Sequence, residues 1–429
     1  MRAKSLVFCG AIACLHAQPG FQFPDPGDLL QRVTRKVLET VGRLPKYMCT
    51  QTIDRSQYEP ISALLRSPCE PYARKQLRLT TSDRLRLDVA VSAAHEMYSW
   101  VGESRFEDRS LFQLVRTGAL STGSFVSFLM VVFRDDEASF SYKGEIAEAG
   151  RQLAEFEFRV PVQSSHYTYG GAGTRVTTGY FGSIFVDPKT AELVRLAVHT
   201  EGLPPETGSC EASTTLDYSR VRLNGADFLL PNRAQLHILD ADGMELENST
   251  AYSGCHEFLG ESTLRFDAAP EADAPAAGKT AAAGELPGGL PFMIALSSNI
   301  DVSAAAAGDK VSAKLTAAIS GPKHEILVPK GAAVTARIVQ IRRFYVPEPS
   351  LRLVLKLETV DIAGTPRPLA AAPDSRAPVF NNAKATLQRR YNPVTLDNQD
   401  PQAAVIQFWN TKGNFVQSSG FESKWLTVR

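Results

Sequence analysis

Three His-Glu pairs are the residues of this chain best suited to metal-dependent hydrolysis. They lie at His95-Glu96, His256-Glu257 and His324-Glu325. Zinc hydrolases place a second histidine four residues after the first, so that both imidazoles bind one zinc ion. None of the three pairs has that histidine, and all three fall in strand-like or loop sequence. Because a Gly-x-Ser-x-Gly nucleophile motif is also absent, we expect that the chain is not an enzyme.

Three other motifs resemble ligand sites only in part. Gly278-Lys279-Thr280 ends like a phosphate-binding loop, but Asp273 stands where that loop needs its first glycine. Gly170–Gly173 lacks the third glycine of a dinucleotide-binding turn, because Val176 stands there. Asp240–Gly243 lacks the bidentate glutamate of a calcium loop and is typical of a hairpin turn. We therefore predict no cofactor and no metal site.

The charge balance argues against a nucleic-acid partner. The chain has 46 basic and 46 acidic residues among 429, and no segment carries a strong excess of one sign. Binding to phosphate backbones requires a concentrated basic surface. The length predicts two domains, each large enough to bury its own core.

Residues 1–17 have the pattern of a signal peptide. Arg2 and Lys4 form its positive region, Ser5–Leu15 its apolar region, and cleavage fits after Ala17. Cys14 offers the alternative of a lipoprotein anchor, although the large aliphatic residue expected three places before it is missing. The apolar run is too short to span a bilayer. We expect an exported protein, periplasmic or associated with the outer membrane, with no transmembrane segment in the mature chain.

Four cysteines follow the signal peptide: Cys49, Cys69, Cys210 and Cys255. An even number in an oxidising compartment predicts two disulfides. Three pairings can be drawn, and Cys49–Cys69 with Cys210–Cys255 is the most economical because it joins the cysteines nearest in sequence. A zinc site is the weaker alternative, since there is no CxxC and no histidine at ligand spacing.

The elements of the first half must position any binding groups. A helix capped by Asp25 or Asp28 opens it, and two short helical stretches follow strands between residues 110 and 133. From Ala138 onward, apolar and polar residues alternate, and Asn224-Gly225 is a strong hairpin signal. We predict a mainly β fold with a few helices: a curled antiparallel half-barrel with helices on its concave side.

The hairpins of this half carry a resemblance to a known family. It rests on Gly182–Leu196 (GSIFVDPKTAELVRL), Tyr218–Val221 (YSRV) and Leu230–Arg233 (LPNR). Residues 25–266 thereby resemble the LolA/LolB-type lipoprotein carriers and related outer-membrane lipoprotein-sorting proteins. The resemblance implies a half-barrel that holds lipid or lipoprotein acyl chains. The segment Leu44–Gln51 (LPKYMCTQ) is similar to uncharacterised secreted bacterial proteins.

An apolar ligand would contact inward-facing aromatic and aliphatic side chains. Each buried methylene group of an acyl chain contributes about 0.8 kcal/mol. The alternative is that the same residues only fill a core, because sequence pattern does not distinguish a filled barrel from a hollow one. The predicted lining residues are Phe125, Phe128, Leu129, Phe133, Phe156, Phe158, Val160 and Ile184.

A tract rich in Ala, Pro and Gly, residues 267–289, predicts a linker between two modules. The modules should move independently unless they share an interface. Residues 290–429 contain short strand patterns and predict a small β-barrel. Part of that module, residues 290–370, resembles the TrbI-like β-barrel of conjugation and type IV secretion scaffolds. The matching segments are Ala307–Lys310 (AGDK), Ile326–Gly331 (ILVPKG) and Val334–Val339 (VTARIV).

These observations predict an exported cell-envelope protein that binds lipid or lipoprotein acyl chains without catalysis. The carboxy-terminal barrel would contact envelope protein partners. One alternative is a structural scaffold whose two modules both bind proteins. The other is a hydrolase whose Ser–His–Asp triad leaves no local signature, since such a triad is recognised by geometry.

Overall fold

The computed structural model describes residues 23–62, 69, 76–92, 95–103, 106, 111–134, 138–171, 174–258, 286–374, 400–411 and 413–428. The predicted signal peptide, Cys14 and residues 267–285 of the predicted linker lie outside the described residues. Among the described residues, no helix is both long and apolar enough to cross a membrane.

In its described residues, the amino-terminal half combines three α-helices with twelve strands. The helices are α1 (Pro26–Arg43), α2 (Leu111–Leu114) and α3 (Ser127–Phe133). The strands are β1 (Tyr47–Pro60), β2 (Leu77–Ser92), β3 (His95–Trp100), β4 (Ser139–Glu148), β5 (Arg151–Val160), β6 (Thr168–Gly171), β7 (Thr174–Thr177), β8 (Gly179–Asp187), β9 (Glu192–Glu201), β10 (Ser209–Leu223), β11 (Ala226–Asp240) and β12 (Glu245–Glu257).

Ten of these strands form one antiparallel sheet in the order β4-β5-β8-β9-β10-β11-β12-β1-β2-β3. Most neighbours are joined by short hairpins, and the Asn224-Gly225 turn has positive φ at both residues, as a tight hairpin requires. Along β5, Phe156, Phe158 and Val160 are buried. This alternation gives the sheet one apolar face, and the predicted mainly β fold with few helices is confirmed.

Helix α1 lies against the apolar face of the sheet. The Asp25 carboxylate accepts hydrogen bonds from two backbone amides of the first turn, which confirms one of the two predicted caps. Leu29, Val33 and Val37 repeat every four residues and are buried together with side chains of β5, β8 and β9. The helix therefore closes part of the concave side.

The carboxy-terminal half combines two long strands with several short ones. They are β13 (Pro291–Leu296), β14 (Ile300–Asp301), β15 (Lys310–Leu315), β16 (Ile319–Ser320), β17 (Ile326–Val328), β18 (Ala333–Phe344), β19 (Ser350–Ile362), β20 (Thr365–Pro368), β21 (Ala371–Pro373), β22 (Ala403–Trp409), β23 (Val416–Gln417) and β24 (Glu422–Thr427). The main antiparallel order is β21-β24-β13-β15-β18-β19-β22, and β19 also pairs with β20. Its buried side chains form one hydrophobic cluster of their own.

The two halves share an interface. The start of β2 pairs with the end of β18, from Thr81↔Phe344 to Asp83↔Arg342. Next to this ladder, the backbone of Arg86 donates to Ala307, 2.7 Å away, and the Arg86 side chain contacts Asp309. The hydrogen bonds continue the amino-terminal sheet into the second half. The sequence predicted independent motion of the two halves only if they shared no interface, so this arrangement does not support such motion. The predicted domain boundaries stay predictions.

The disulfide pairing differs from the most economical one. Cys49 is bonded to Cys255, and Cys69 to Cys210, with sequence separations of 206 and 141 residues. The reason is the sheet order: β1 pairs with β12, so Cys49 lies beside Cys255 although the two are far apart in sequence. The prediction that all four cysteines form disulfides is confirmed, and the pairing of sequence neighbours is wrong.

Candidate functional site

The segment from α2 to α3 crosses the concave side of the sheet and is held by Glu96. One carboxylate oxygen of Glu96 accepts from the amide of Phe125 at 3.0 Å, and the other accepts from the amide of Gly123 at 2.7 Å. The hydroxyl of Tyr98, two residues along β3, donates to the same carboxylate. Glu96 belongs to one of the three His-Glu pairs whose spacing argued against a zinc site. Its function in this structure is to fix the start of α3.

A second attachment holds the middle of the segment. The guanidinium of Arg55 donates to the carbonyl of Thr117, and Gly118 lies directly over it with φ of +81°. A Cβ atom at Gly118 would be 2.6 Å from the Arg55 Nη1 atom, so any other residue would be strained in this left-handed backbone and would displace the guanidinium. The Asn248 side chain donates to the carbonyl of Ala119 at 2.9 Å. The segment is therefore tied to both β1 and β12.

Between this segment and the sheet lies a cavity of about 670 Å³. Its walls come from the α2–α3 segment, from the β6–β7 hairpin and from β8, β11 and β12. We call it the insert cavity. Its apolar and aromatic lining consists of Phe112, Val115, Leu120, Phe128, Val131, Tyr167, Tyr169, Tyr180, Leu236, Ile238 and Leu246.

The floor of the insert cavity is an aromatic cluster. The rings of Phe128, Tyr167 and Tyr180 have centroids 5.7–6.1 Å apart. Burial raises the pKa of Tyr167 to about 12, and the Tyr167 hydroxyl is therefore neutral at physiological pH. Leu236 and Ile238 of β11 are buried in a second, smaller cluster with Tyr169 and Leu246, which also line the cavity. The floor thus offers uncharged, largely apolar surface.

The mouth of the insert cavity is more polar. Phe112, a 46% exposed aromatic side chain, stands there together with the exposed residues Arg116, His166 and Arg175. The cavity therefore runs from a polar, solvent-exposed rim to an apolar floor.

The eight predicted lining residues are all buried. Phe128 lies on the wall of the insert cavity. Phe125 packs against Tyr47 and Tyr252, and the other six belong to the hydrophobic cluster between α1, α3 and the sheet. Most of the predicted set therefore fills the space under the helices, and its contact with a ligand stays a prediction. Sequence reasoning did not single out Tyr167, Tyr180 or the β11 side chains.

A second hollow, of about 830 Å³, lies over β4, β5, β8 and β9. Its surface includes Phe158, Phe181 and His199, and Arg159 and Glu201 neutralise each other there through an ion pair. Phe181 is 45% exposed and stacks on His199. In the described part of the chain, the lining of this hollow comes only from the sheet, whereas the insert cavity has walls on several sides.

One group of side chains in the described residues could hold a metal ion. The ligand atoms of His237, Glu245 and Glu247 lie within 4.8 Å of one another on the paired strands β11 and β12. His237 Nε2 is 3.1 Å from a Glu245 carboxylate oxygen. His237 lies directly opposite Glu247 in the ladder, and a hydrogen bond between side chains of paired strands is an ordinary sheet contact that needs no metal ion.

Comparison with known proteins gives few matches. No protein-family model and no curated protein matches the chain. Among solved structures, a DUF1329 family protein from Desulfovibrio piger is similar over 56% of this chain and 96% of its own, with 9% identity and a TM-score of 0.28.

Two further solved structures are similar at the same level. A putative outer membrane lipoprotein-sorting protein domain from Vibrio parahaemolyticus covers 53% of this chain and 90% of its own, with 9% identity and a TM-score of 0.27. A LolA superfamily protein from Nitrosomonas europaea covers 52% and 93%, with 10% identity and a TM-score of 0.24. These values are too low for the likenesses to indicate what this chain does.

Proposed function

We propose that this chain is an exported carrier that binds an acyl chain in the insert cavity and performs no reaction on it. The observation that supports the proposal most directly is the cavity itself, about 670 Å³ with an aromatic and aliphatic floor. Binding sites for small ligands typically enclose about 300–1,000 Å³ and are lined mostly by apolar groups. The volume and the lining both fit a single flexible hydrocarbon chain.

The energetics of such binding need no chemistry. Each methylene group transferred from water to the cavity contributes about 0.8 kcal/mol, against the cost of ordering the chain and the loss of its free motion. Hydrogen bonds from Glu96 and Arg55 already hold the α2–α3 segment, which forms one wall of the cavity. Little of the protein therefore has to become ordered when a ligand binds. A preformed cavity of this kind favours affinity.

The compartment is consistent with this proposal. Both disulfides join strands or segments far apart in sequence. Disulfides persist in oxidising compartments and are rare in the cytosol. The disulfides and the predicted signal peptide together support a location in the cell envelope, where lipids and lipoproteins are present.

The test is binding of a fluorescent alkyl probe to the purified full chain, combined with extraction and mass spectrometry of co-purified lipid. In the Val131→Trp variant a half-buried cavity wall residue becomes an indole that occupies part of the volume. We expect this variant to bind the probe at least about tenfold more weakly, because a filled cavity excludes the chain. Val194→Trp, a half-buried position on β9 outside the cavity lining, is the matched control and should bind normally.

Two outcomes would contradict the proposal. Either the wild-type chain binds neither the probe nor any extractable lipid, or Val131→Trp and Val194→Trp bind the probe equally well. The first result would favour the structural alternative, in which both halves contact protein partners.

A further inference from the structure

The charges around the insert cavity have one sign. Among the described residues that line it, Arg116 and Arg175 carry fixed positive charge, and no Asp or Glu takes part. The chain as a whole has equal numbers of acidic and basic residues, 46 of each. The lack of carboxylates in this lining therefore does not reflect the composition of the chain, and it is specific to this site.

The two arginines lie on different walls of the mouth. Arg116 follows α2, and Arg175 belongs to β7 of the hairpin that forms another wall. Both side chains are exposed, and neither donates a hydrogen bond to another described residue. Burial would raise the pKa of Asp400, but its hydrogen bond from Lys356 at 2.8 Å, with a smaller contribution from the charge of Arg116, lowers that pKa. Arg116 therefore has an acidic neighbour outside the cavity lining, but its N–H groups donate no hydrogen bond to a described residue and can still donate to a ligand.

The neighbouring polar groups can also donate hydrogen bonds to an anion. The hydroxyl-bearing side chains Ser121, Thr122 and Ser127 line the same cavity as the arginines. Hydroxyl groups and guanidinium groups donate hydrogen bonds, and a guanidinium binds a carboxylate or phosphate through two parallel N–H···O contacts. A cationic head group would be repelled by the two arginines, whereas a neutral one would gain no charge–charge attraction from them.

We infer that the ligand is an anionic amphiphile: an acyl chain on the apolar floor, with a carboxylate or phosphate head group between Arg116 and Arg175. This inference rests on the proposed function, because it names the kind of apolar ligand that the carrier accepts. Charge complementarity at the mouth would also orient the chain, with its head toward solvent.

The test compares amphiphiles that share one chain and differ in head group. Palmitate, palmityl phosphate, palmityl alcohol and palmityl-trimethylammonium each compete with the uncharged fluorescent alkyl probe, below their aggregation concentrations. We expect the two anions to bind at least about fivefold more tightly than the alcohol. We expect their affinity, unlike that of the alcohol, to fall as salt is raised, because salt screens exposed charges.

Variants of the rim assign the effect to the two arginines. Arg116→Gln and Arg175→Gln should each weaken palmitate binding by about two- to fivefold, the range of exposed charge contacts, and leave palmityl alcohol unchanged. Arg222→Gln, an exposed arginine on β10 outside the cavity, is the matched control and should change neither affinity.

The possible results separate the two proposals. If palmityl alcohol or the trimethylammonium compound binds as tightly as palmitate, or if Arg222→Gln weakens palmitate as much as the rim variants do, the anionic head group is wrong while the carrier proposal stands. If the alkyl probe itself does not bind the wild-type chain, the carrier proposal fails, and this inference fails with it.

Discussion

At the scale of single residues, the Glu96 carboxylate and the buried tyrosines around it hold the wall of the insert cavity. The hydroxyl of Tyr98 donates to Glu96, whereas the buried hydroxyls of Tyr47 and Tyr218 have no partner among the described residues. A buried hydroxyl stabilises a fold only when it is hydrogen-bonded. These tyrosines therefore differ in their contribution to stability although all are buried.

We predict that Tyr98→Phe lowers the free energy of unfolding by about 1–3 kcal/mol, because a hydrogen bond to a charged group is lost. Tyr218→Phe removes a hydroxyl without a partner and should change stability by less than about 0.5 kcal/mol, or raise it. Urea unfolding of the oxidised full chain measures both. If both variants lose the same free energy of unfolding, the hydrogen bond between Tyr98 and Glu96 does not contribute to stability.

The same cluster predicts a stability that falls at alkaline pH. Burial, assisted by the negative charge of Glu96, raises the pKa of Tyr47, Tyr98, Tyr218 and Tyr252 well above the ordinary value. Above pH about 10 the unfolded chain loses these phenolic protons and the folded chain keeps them, so unfolding becomes easier as pH rises. The slope approaches about 1.4 kcal/mol per pH unit for each tyrosine.

Unfolding free energies measured across the alkaline range, with tyrosinate absorbance as the second readout, check this prediction. Tyrosinate should appear together with unfolding rather than before it. Replacing Tyr218 and Tyr252 by Phe should make the slope shallower. A stability that stays constant up to strongly alkaline pH would contradict the raised pKa values.

At the scale of elements, the α2–α3 segment depends on a close contact between a glycine and the Arg55 side chain. Gly118 lies over the Arg55 guanidinium, and a Cβ atom there would be 2.6 Å from Nη1. Gly150, in the turn between β4 and β5, has a similar φ of +77° but open space around it. A substitution at Gly150 therefore tests backbone strain alone, whereas the same substitution at Gly118 adds a steric clash with Arg55.

We predict that Gly150→Ala lowers stability by about 1 kcal/mol, the cost of a side chain in left-handed backbone. Gly118→Ala should cost about 2–4 kcal/mol, since the methyl group also displaces Arg55. It should further weaken binding of the alkyl probe, because the displaced segment is a cavity wall. Chemical unfolding measures the stability of each variant, and titration measures its affinity for the alkyl probe. If the two variants have equal stability and equal affinity, the contact between Gly118 and Arg55 does not shape the site.

At the scale of the whole molecule, Asp83 joins the two halves. It accepts hydrogen bonds from Arg55 at 2.6 and 2.7 Å and from Arg342 of β18 at 3.0 Å, and its side chain is only 6% exposed. Asp54, on the neighbouring strand, pairs with Arg84 and is half exposed. A buried carboxylate between two cations contributes far more than an exposed pair when one partner is removed.

We predict that Asp83→Asn lowers the free energy of unfolding by about 3–5 kcal/mol, because two arginines lose their shared anion. Asp54→Asn should cost less than about 1 kcal/mol. Differential scanning calorimetry should also show the Asp83→Asn variant unfolding in two transitions, one for each half. A single unshifted transition would mean that the interface does not depend on this carboxylate.

Local sequence patterns determined the elements of this protein. The Asp25 cap and the four-residue repeat of Leu29, Val33 and Val37 specified α1, and the Asn224-Gly225 turn specified the β10–β11 hairpin. These features depend on contacts between residues close in the chain, which helical spacing and turn chemistry encode directly. The mainly β fold follows from the same patterns.

The tertiary structure alone decided the site and the cross-links. Period-two alternation places Leu236 and Ile238 on one face of β11, but which face meets the α2–α3 segment depends on the curl of the whole sheet. Likewise, Cys49 lies next to Cys255 because β1, the first strand, pairs with β12, the last strand of the amino-terminal half. Local pattern fixes the period and the turns, whereas long-range strand pairing fixes which side chains enclose the cavity.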